Sequence, residues 1–126
     1  MNSNDPLAGV WYSGVGSKLK LEVTGSTLTG YFQSTDDPSA DQQALYGSVD
    51  PDAALPNRAL SFSVYWPKSN KYAASVTSYT GLYQAQGGPS GKAQITTIFL
   101  LAIEREPQYN YKAVTVGYDN FLREKP

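Results

Sequence analysis

Apolar and polar residues alternate with a period of two along most of this chain, and stretches with helical spacing are nearly absent. Lys18-Leu19-Lys20-Leu21-Glu22-Val23 alternates strictly and sets Leu19, Leu21 and Val23 on one face. Thr24-Gly25-Ser26 turns the chain into Leu28 to Ser34, and a polar loop from Thr35 to Asp41 leads to Ala44 to Val49. A second loop, Asp50 to Asn57, precedes Ala59 to Trp66, where Leu60, Phe62, Val64 and Trp66 share a face. Ala73 to Gln84, Lys92 to Ile103 and Tyr111 to Leu122 follow, split by Gln86-Gly87-Gly88-Pro89-Ser90-Gly91 and by Glu106-Pro107. With a short opening strand around Trp11 these make eight strands joined mostly by short connections. The expected fold class is all-β, an eight-stranded antiparallel up-and-down β-barrel with a mouth wide enough for one small ligand. A two-sheet sandwich is the structural rival. The length of 126 residues fits one domain, residues 1–126, with its core at about 7–125.

Composition excludes several kinds of chemistry. There is no cysteine, hence neither a disulfide framework nor a thiolate metal site. There is no histidine, which removes the commonest general base and metal ligand. Without a nucleophile–base pair or a metal set, no enzyme is expected, and no cofactor. The net charge is −1 and the ten basic residues are scattered, so neither nucleic acid nor an anionic membrane is an expected partner. No apolar run approaches transmembrane length. Met1 to Pro6 lacks the basic and apolar regions of a signal peptide, as expected of a mature exported chain with a restored methionine, or of a cytosolic one.

Two segments are apolar on both faces. Ile95, Phe99 and Leu101 oppose Ile98 and Leu100, while Val114, Val116 and Tyr118 oppose Tyr111, Ala113, Gly117 and Asp119. A barrel has one core, so an outer apolar patch on the last strands predicts self-association.

An ordered series of segments carries a resemblance. It runs Gly9-Val10-Trp11-Tyr12-Ser13-Gly14-Val15-Gly16-Ser17, Leu28-Thr29-Gly30, Ser61-Phe62-Ser63-Val64-Tyr65-Trp66 and Tyr79-Thr80-Gly81-Leu82-Tyr83. Ile95 to Leu101 and Tyr111 to Phe121 complete it. In order and spacing, from about Leu7 to Lys125, this resembles the avidin/streptavidin family. The resemblance implies a barrel that binds biotin in its open end, a secreted or periplasmic location, and a homotetramer or homodimer. By position it implies that Ser13 and Ser17 meet the ureido oxygen, Asp119 and Ser34 the ureido N–H groups, Thr77 the ring sulfur and Ser75 the tail carboxylate. Trp66, Tyr79 and Phe99 would form aromatic walls, with Val15 and Leu101 filling gaps. Phe32 and Asp36 also occupy ligand-contacting positions, and Tyr111 stands where family tetramers send a tryptophan across to a neighbour's ligand.

Strand parity supports the mapping, because a ligand-contacting residue must face the barrel interior. Ser17 shares parity with Leu19 and Leu21, Ser34 with Leu28 and Phe32, Trp66 with Leu60 and Phe62, and Asp119 with Phe121. Ser75, Thr77 and Tyr79 form one face, and so do Phe99 and Leu101. The chemistry suits a bicycle with one strong acceptor, two donors, a thioether and an anionic tail. Hydroxyls donate to the oxygen, a carboxylate accepts from N–H, and rings supply apolar contact.

The resemblance also shows departures. Ser13 replaces an asparagine, Phe32 a tyrosine whose hydroxyl touches the ureido oxygen, and Tyr79, Phe99 and Tyr111 replace tryptophans. Asp36, Asp37 and Asp41 place negative charge in the loop that closes over the tail carboxylate. Binding weaker than that of the strongest family members, with faster release, is the expectation.

Other features have plainer readings. Trp11 is expected in the core, Asp50-Pro51-Asp52 as a turn rather than a calcium site, Glu104 and Glu106 as a solvated strand end, and Gly87 to Gly91 as a loop rather than a phosphate cradle. The competing function is a lipocalin-like or fatty-acid-binding-type carrier, since Gly9-Val10-Trp11 resembles the lipocalin glycine-any-tryptophan signature. Lipocalins add a helix after the barrel, and this chain shows no helical pattern there. A barrel acting through its outer surface or loops is a further alternative.

Overall fold

The computed structural model describes residues 4–35, 42–70 and 72–126. Each alternating segment forms a strand: β1 (Gly9–Ser13), β2 (Lys18–Thr24), β3 (Thr27–Gln33), β4 (Gln43–Val49), β5 (Asn57–Trp66), β6 (Ser75–Gln84), β7 (Gln94–Ile103) and β8 (Val114–Leu122). Every strand pairs antiparallel with the next, and β8 returns to β1 through Tyr12–Leu122 and Ser13–Phe121. The sheet is therefore a closed eight-stranded barrel, and the sandwich alternative falls away.

Strand starts differ from the expected ones. Tyr111 to Ala113 are not strand: Pro107–Lys112 forms 3₁₀ turns, with Ala113 N–H bonding Asn110 O at 3.1 Å. Pro107, at the first helical position, presets φ and lacks the N–H that a ladder needs, so the aromatic run after it winds instead of extending. The strand expected from Lys92 begins at Gln94, because Pro89–Gly91 forms a 3₁₀ turn to which Lys92 N–H closes. Similarly β6 begins at Ser75 rather than Ala73.

One end of the barrel is sealed. Leu7, Trp11, Val23, Leu28, Val49, Leu60, Tyr83 and Ile95 are buried there. Burial of each large apolar side chain contributes roughly 1.5–3 kcal/mol relative to exposure. Trp11 donates its indole N–H to Leu7 O at 2.9 Å, meets Tyr83 edge-on, and is covered by the Arg123 guanidinium 3.9 Å from the ring centroid. Arg58, 1 % exposed, donates to both carboxylate oxygens of buried Asp5 (2.5 and 2.9 Å) and twice to Asp50 O. Burial alone would raise the Asp5 pKa, but the Arg58 hydrogen bonds and charge, with the Leu7 N–H, hold it below the usual carboxylate range. Asp50 and Asp52 accept the N–H groups of Asp52 and Ala54, so this loop is the expected turn.

The outer wall carries the expected apolar stripe. Val76, Ala102 and Val114 lie side by side across β6, β7 and β8, as do Ser78, Leu100 and Val116, and Thr80, Ile98 and Tyr118. Ile98, Leu100, Val114, Val116 and Tyr118 are each at least half exposed. Among the described residues no helix is long and apolar enough to cross a membrane.

Candidate functional site at the open end

The end opposite the seal gathers the β1–β2, β3–β4, β5–β6 and β7–β8 connections. Along each long strand the inward-facing residues pass from buried to half-buried towards it. Leu60, Phe62 and Val64 are buried while Trp66 is half-buried, and Ile95 and Thr97 are buried while Phe99 and Leu101 are half-buried. Phe121 is likewise buried and Asp119 half-buried. Among the described residues the inward-facing side chains are thus more exposed towards this end, and Trp66, Phe99, Leu101 and Asp119 are among them.

The β1–β2 connection builds the first polar pair. Ser13 N–H bonds Ser17 O and Gly16 N–H bonds Ser13 O, both at 2.9 Å, with Gly16 at φ +89°, a conformation glycine adopts readily. The turn sets the buried serines side by side, and Ser17 N–H donates to Ser13 Oγ at 3.1 Å. Ser17 Oγ in turn accepts Thr35 N–H at 3.1 Å and lies 3.2 Å from Thr35 Oγ1. Each serine oxygen therefore accepts a backbone N–H, which orients the hydroxyl, and either hydroxyl of the Ser17–Thr35 pair can be the donor between them. Two anchored hydroxyls suit an incoming carbonyl-type oxygen once Thr35 donates to Ser17.

Across the mouth, Trp66 donates its indole N–H to Thr77 Oγ1 at 3.1 Å. This bond fixes the tryptophan ring and occupies one of the two acceptor lone pairs of the Thr77 hydroxyl. An aromatic cluster continues inward. Phe32 meets Trp66 edge-on (5.6 Å between centroids) and stacks on Tyr79 (5.7 Å), while Tyr79 lies 5.4 Å from Phe99. Phe62, 4.7 Å from Tyr79, and Phe121, 6.1 Å from Phe32, tie the cluster to the core. Edge-to-face and offset pairs of this kind hold rings rigid before any ligand arrives.

Asp119 is held from two sides. Thr97, buried on the inner face of β7, donates its hydroxyl to Asp119 O at 2.8 Å. The Tyr79 hydroxyl hydrogen-bonds the Asp119 side chain. Burial, then the nearby Asp119 charge and this hydrogen bond, push the Tyr79 pKa far above that of an ordinary phenol, so it stays a protonated donor. Each carboxylate oxygen can accept more than one hydrogen bond.

Ser34 and Ser75 are half-buried at the rim. Val15 (74 % exposed) and Tyr111 (80 % exposed) stand out from this single chain instead of lining its interior, and Tyr111 sits in the 3₁₀ segment rather than on β8. Asp36, Asp37 and Asp41 lie outside the described residues. Thr35 and Thr97 support the site without having been singled out by sequence. The available signal for Thr97 was a polar residue at an inward position between Ile95 and Phe99. A separate groove of about 330 Å³, lined by Lys20, Glu22, Tyr31 and Tyr46, lies on the outer wall and belongs to none of this.

A sequence profile described as the Avidin family matches residues 1–124. Barrel, open end and motif order agree with that match over nearly the whole chain, and the protein is a member of the avidin family.

Proposed function

We propose that this protein is a non-enzymatic binder of biotin, held in the open end of the barrel. The observation that carries the reading is the convergence, at the end opposite the seal, of anchored hydroxyls (Ser13, Ser17, Thr77), a supported carboxylate (Asp119) and an aromatic wall (Trp66, Tyr79, Phe99). In this reading Ser13 and Ser17 donate to the ureido oxygen, and Asp119 and Ser34 accept from the ureido N–H groups. Thr77 approaches the ring sulfur, Ser75 takes the tail carboxylate, and Leu101 and Val15 close the apolar remainder. Asp36 is also a ligand-contacting residue in this reading.

Phe32 presents no hydroxyl, so the ureido oxygen has one donor fewer than the resemblance predicts, a loss of about 1 kcal/mol. Smaller rings at Tyr79 and Phe99 remove contact area at roughly 25 cal/mol per Å². Affinity below the family's strongest members and faster release follow. The outer stripe on β6–β8 supports a homo-oligomer, a tetramer or else a dimer, in which Tyr111 of one subunit covers the ligand of another. Family membership supports a secreted or periplasmic location.

Titration with biotin, followed by tryptophan fluorescence, tests the reading. Saturable quenching or enhancement is expected, with Asp119→Ala weakening binding by roughly 10- to 100-fold through loss of a charge-assisted hydrogen bond. No response to biotin, together with displacement of a fluorescent fatty acid by other lipids, would instead identify a lipid carrier.

A further inference from the structure

Phe99 and Gly117 are direct partners in the β7–β8 ladder, and both belong to the inward-facing set of their strands. A Cβ on Gly117 would lie 2.3 Å from Phe99 Cζ, and 2.8 and 2.9 Å from Cε2 and Cε1. The Phe99 ring therefore lies across the bare backbone of Gly117, in space that any other residue would fill. Its opposite neighbour is Tyr79, 5.4 Å away on β6.

Gly117 differs from the glycines that shape the barrel. At Gly47 an added Cβ would strike the Ser61 carbonyl oxygen at 1.8 Å, a backbone atom that no side-chain rotation can move. At Gly117 the obstacle is only the tip of a side chain, and its φ is not positive, so the backbone itself tolerates an L-residue. What glycine provides at position 117 is thus room for one ring of the mouth.

We infer that Gly117 is a positioning and specificity-determining residue, which seats the Phe99 ring back against β8 and so sets the width of the mouth. This assignment rests on the ligand reading above for its consequence in affinity, but not for its geometry. A methyl group at 117 drives the Phe99 ring off β8, and the half-buried ring can move only towards the mouth or out of it. In either position the apolar wall for a fused bicycle is lost.

The test compares wild type, Gly117→Ala, Phe99→Ala and the double variant. By NMR, the ring current of Phe99 shifts the Gly117 α-protons, and that shift disappears in Phe99→Ala. Unchanged α-proton shifts in Phe99→Ala overturn the assignment, whatever the ligand. In biotin titrations, Gly117→Ala weakens binding by about tenfold or more, the scale of overpacking by one methyl group. In the Phe99→Ala background the same substitution has little further effect, because the ring it displaces is gone. Equal losses in both backgrounds, or none in either, contradict the proposal. If wild type gives no biotin response, the ligand reading fails, while the α-proton shifts still decide the Gly117–Phe99 geometry.

Discussion

Tyr79 shows how a residue's role depends on atoms that strand periodicity does not specify. Its inward position was legible, because it shares parity with Ser75 and Thr77. Its hydrogen bond to Asp119 was not, since that contact joins β6 to β8 over the intervening β7 and depends on register and ring tilt. The same holds for the Trp66–Thr77, Ser17–Thr35 and Thr97–Asp119 bonds, all of which link different strands or loops. A period of two states which face a side chain takes, not which neighbour it meets. The raised Tyr79 pKa carries a stability consequence. The folded state favours the neutral phenol, so this contribution is fully present below the ordinary value of 10.0 and is lost as pH rises beyond it. Tyr79→Phe is therefore expected to lose less stability than wild type between about pH 10 and 12, by up to about 1.4 kcal/mol per pH unit. Chemical denaturation at several pH values measures this, and parallel curves for the two proteins would rule it out.

At the level of elements, the eight strands were legible because alternation and turn residues agree along the chain. The starts of β6, β7 and β8 were less so. The strand expected from Tyr111 begins only at Val114, because the 3₁₀ turns that Pro107 starts run on to Lys112. Close approach between strands is equally invisible in a pattern of apolar and polar residues. Gly47 pairs with Phe62 and leaves no space for a Cβ beside the Ser61 carbonyl. Gly47→Ala is expected to destabilise the barrel by at least about 2 kcal/mol, since the strands themselves must part. A urea midpoint equal to wild type would show that β4 and β5 have more freedom than their register implies.

For the whole molecule, closure and sealing make the barrel asymmetric. The Asp5–Arg58 pair, Trp11 and Arg123 close one end, and the other keeps a lined, half-buried interior. An outer apolar patch on β7 and β8 was anticipated from residues apolar on both sides of a strand, and Val76 on β6 extends it. Placing one charge in it, as in Leu100→Lys, is expected to shift the protein to a smaller species in light scattering at micromolar concentration, because a buried unpaired charge opposes association. An unchanged mass would contradict self-association through this face.

A crystal structure with biotin tests the arrangement of groups in the mouth most directly. The fused rings are expected between Trp66, Tyr79 and Phe99, with the ureido oxygen within hydrogen-bond reach of Ser13 and Ser17 and a ureido N–H directed at Asp119. Biotin bound elsewhere, or seated with its ureido group away from Asp119, would contradict it.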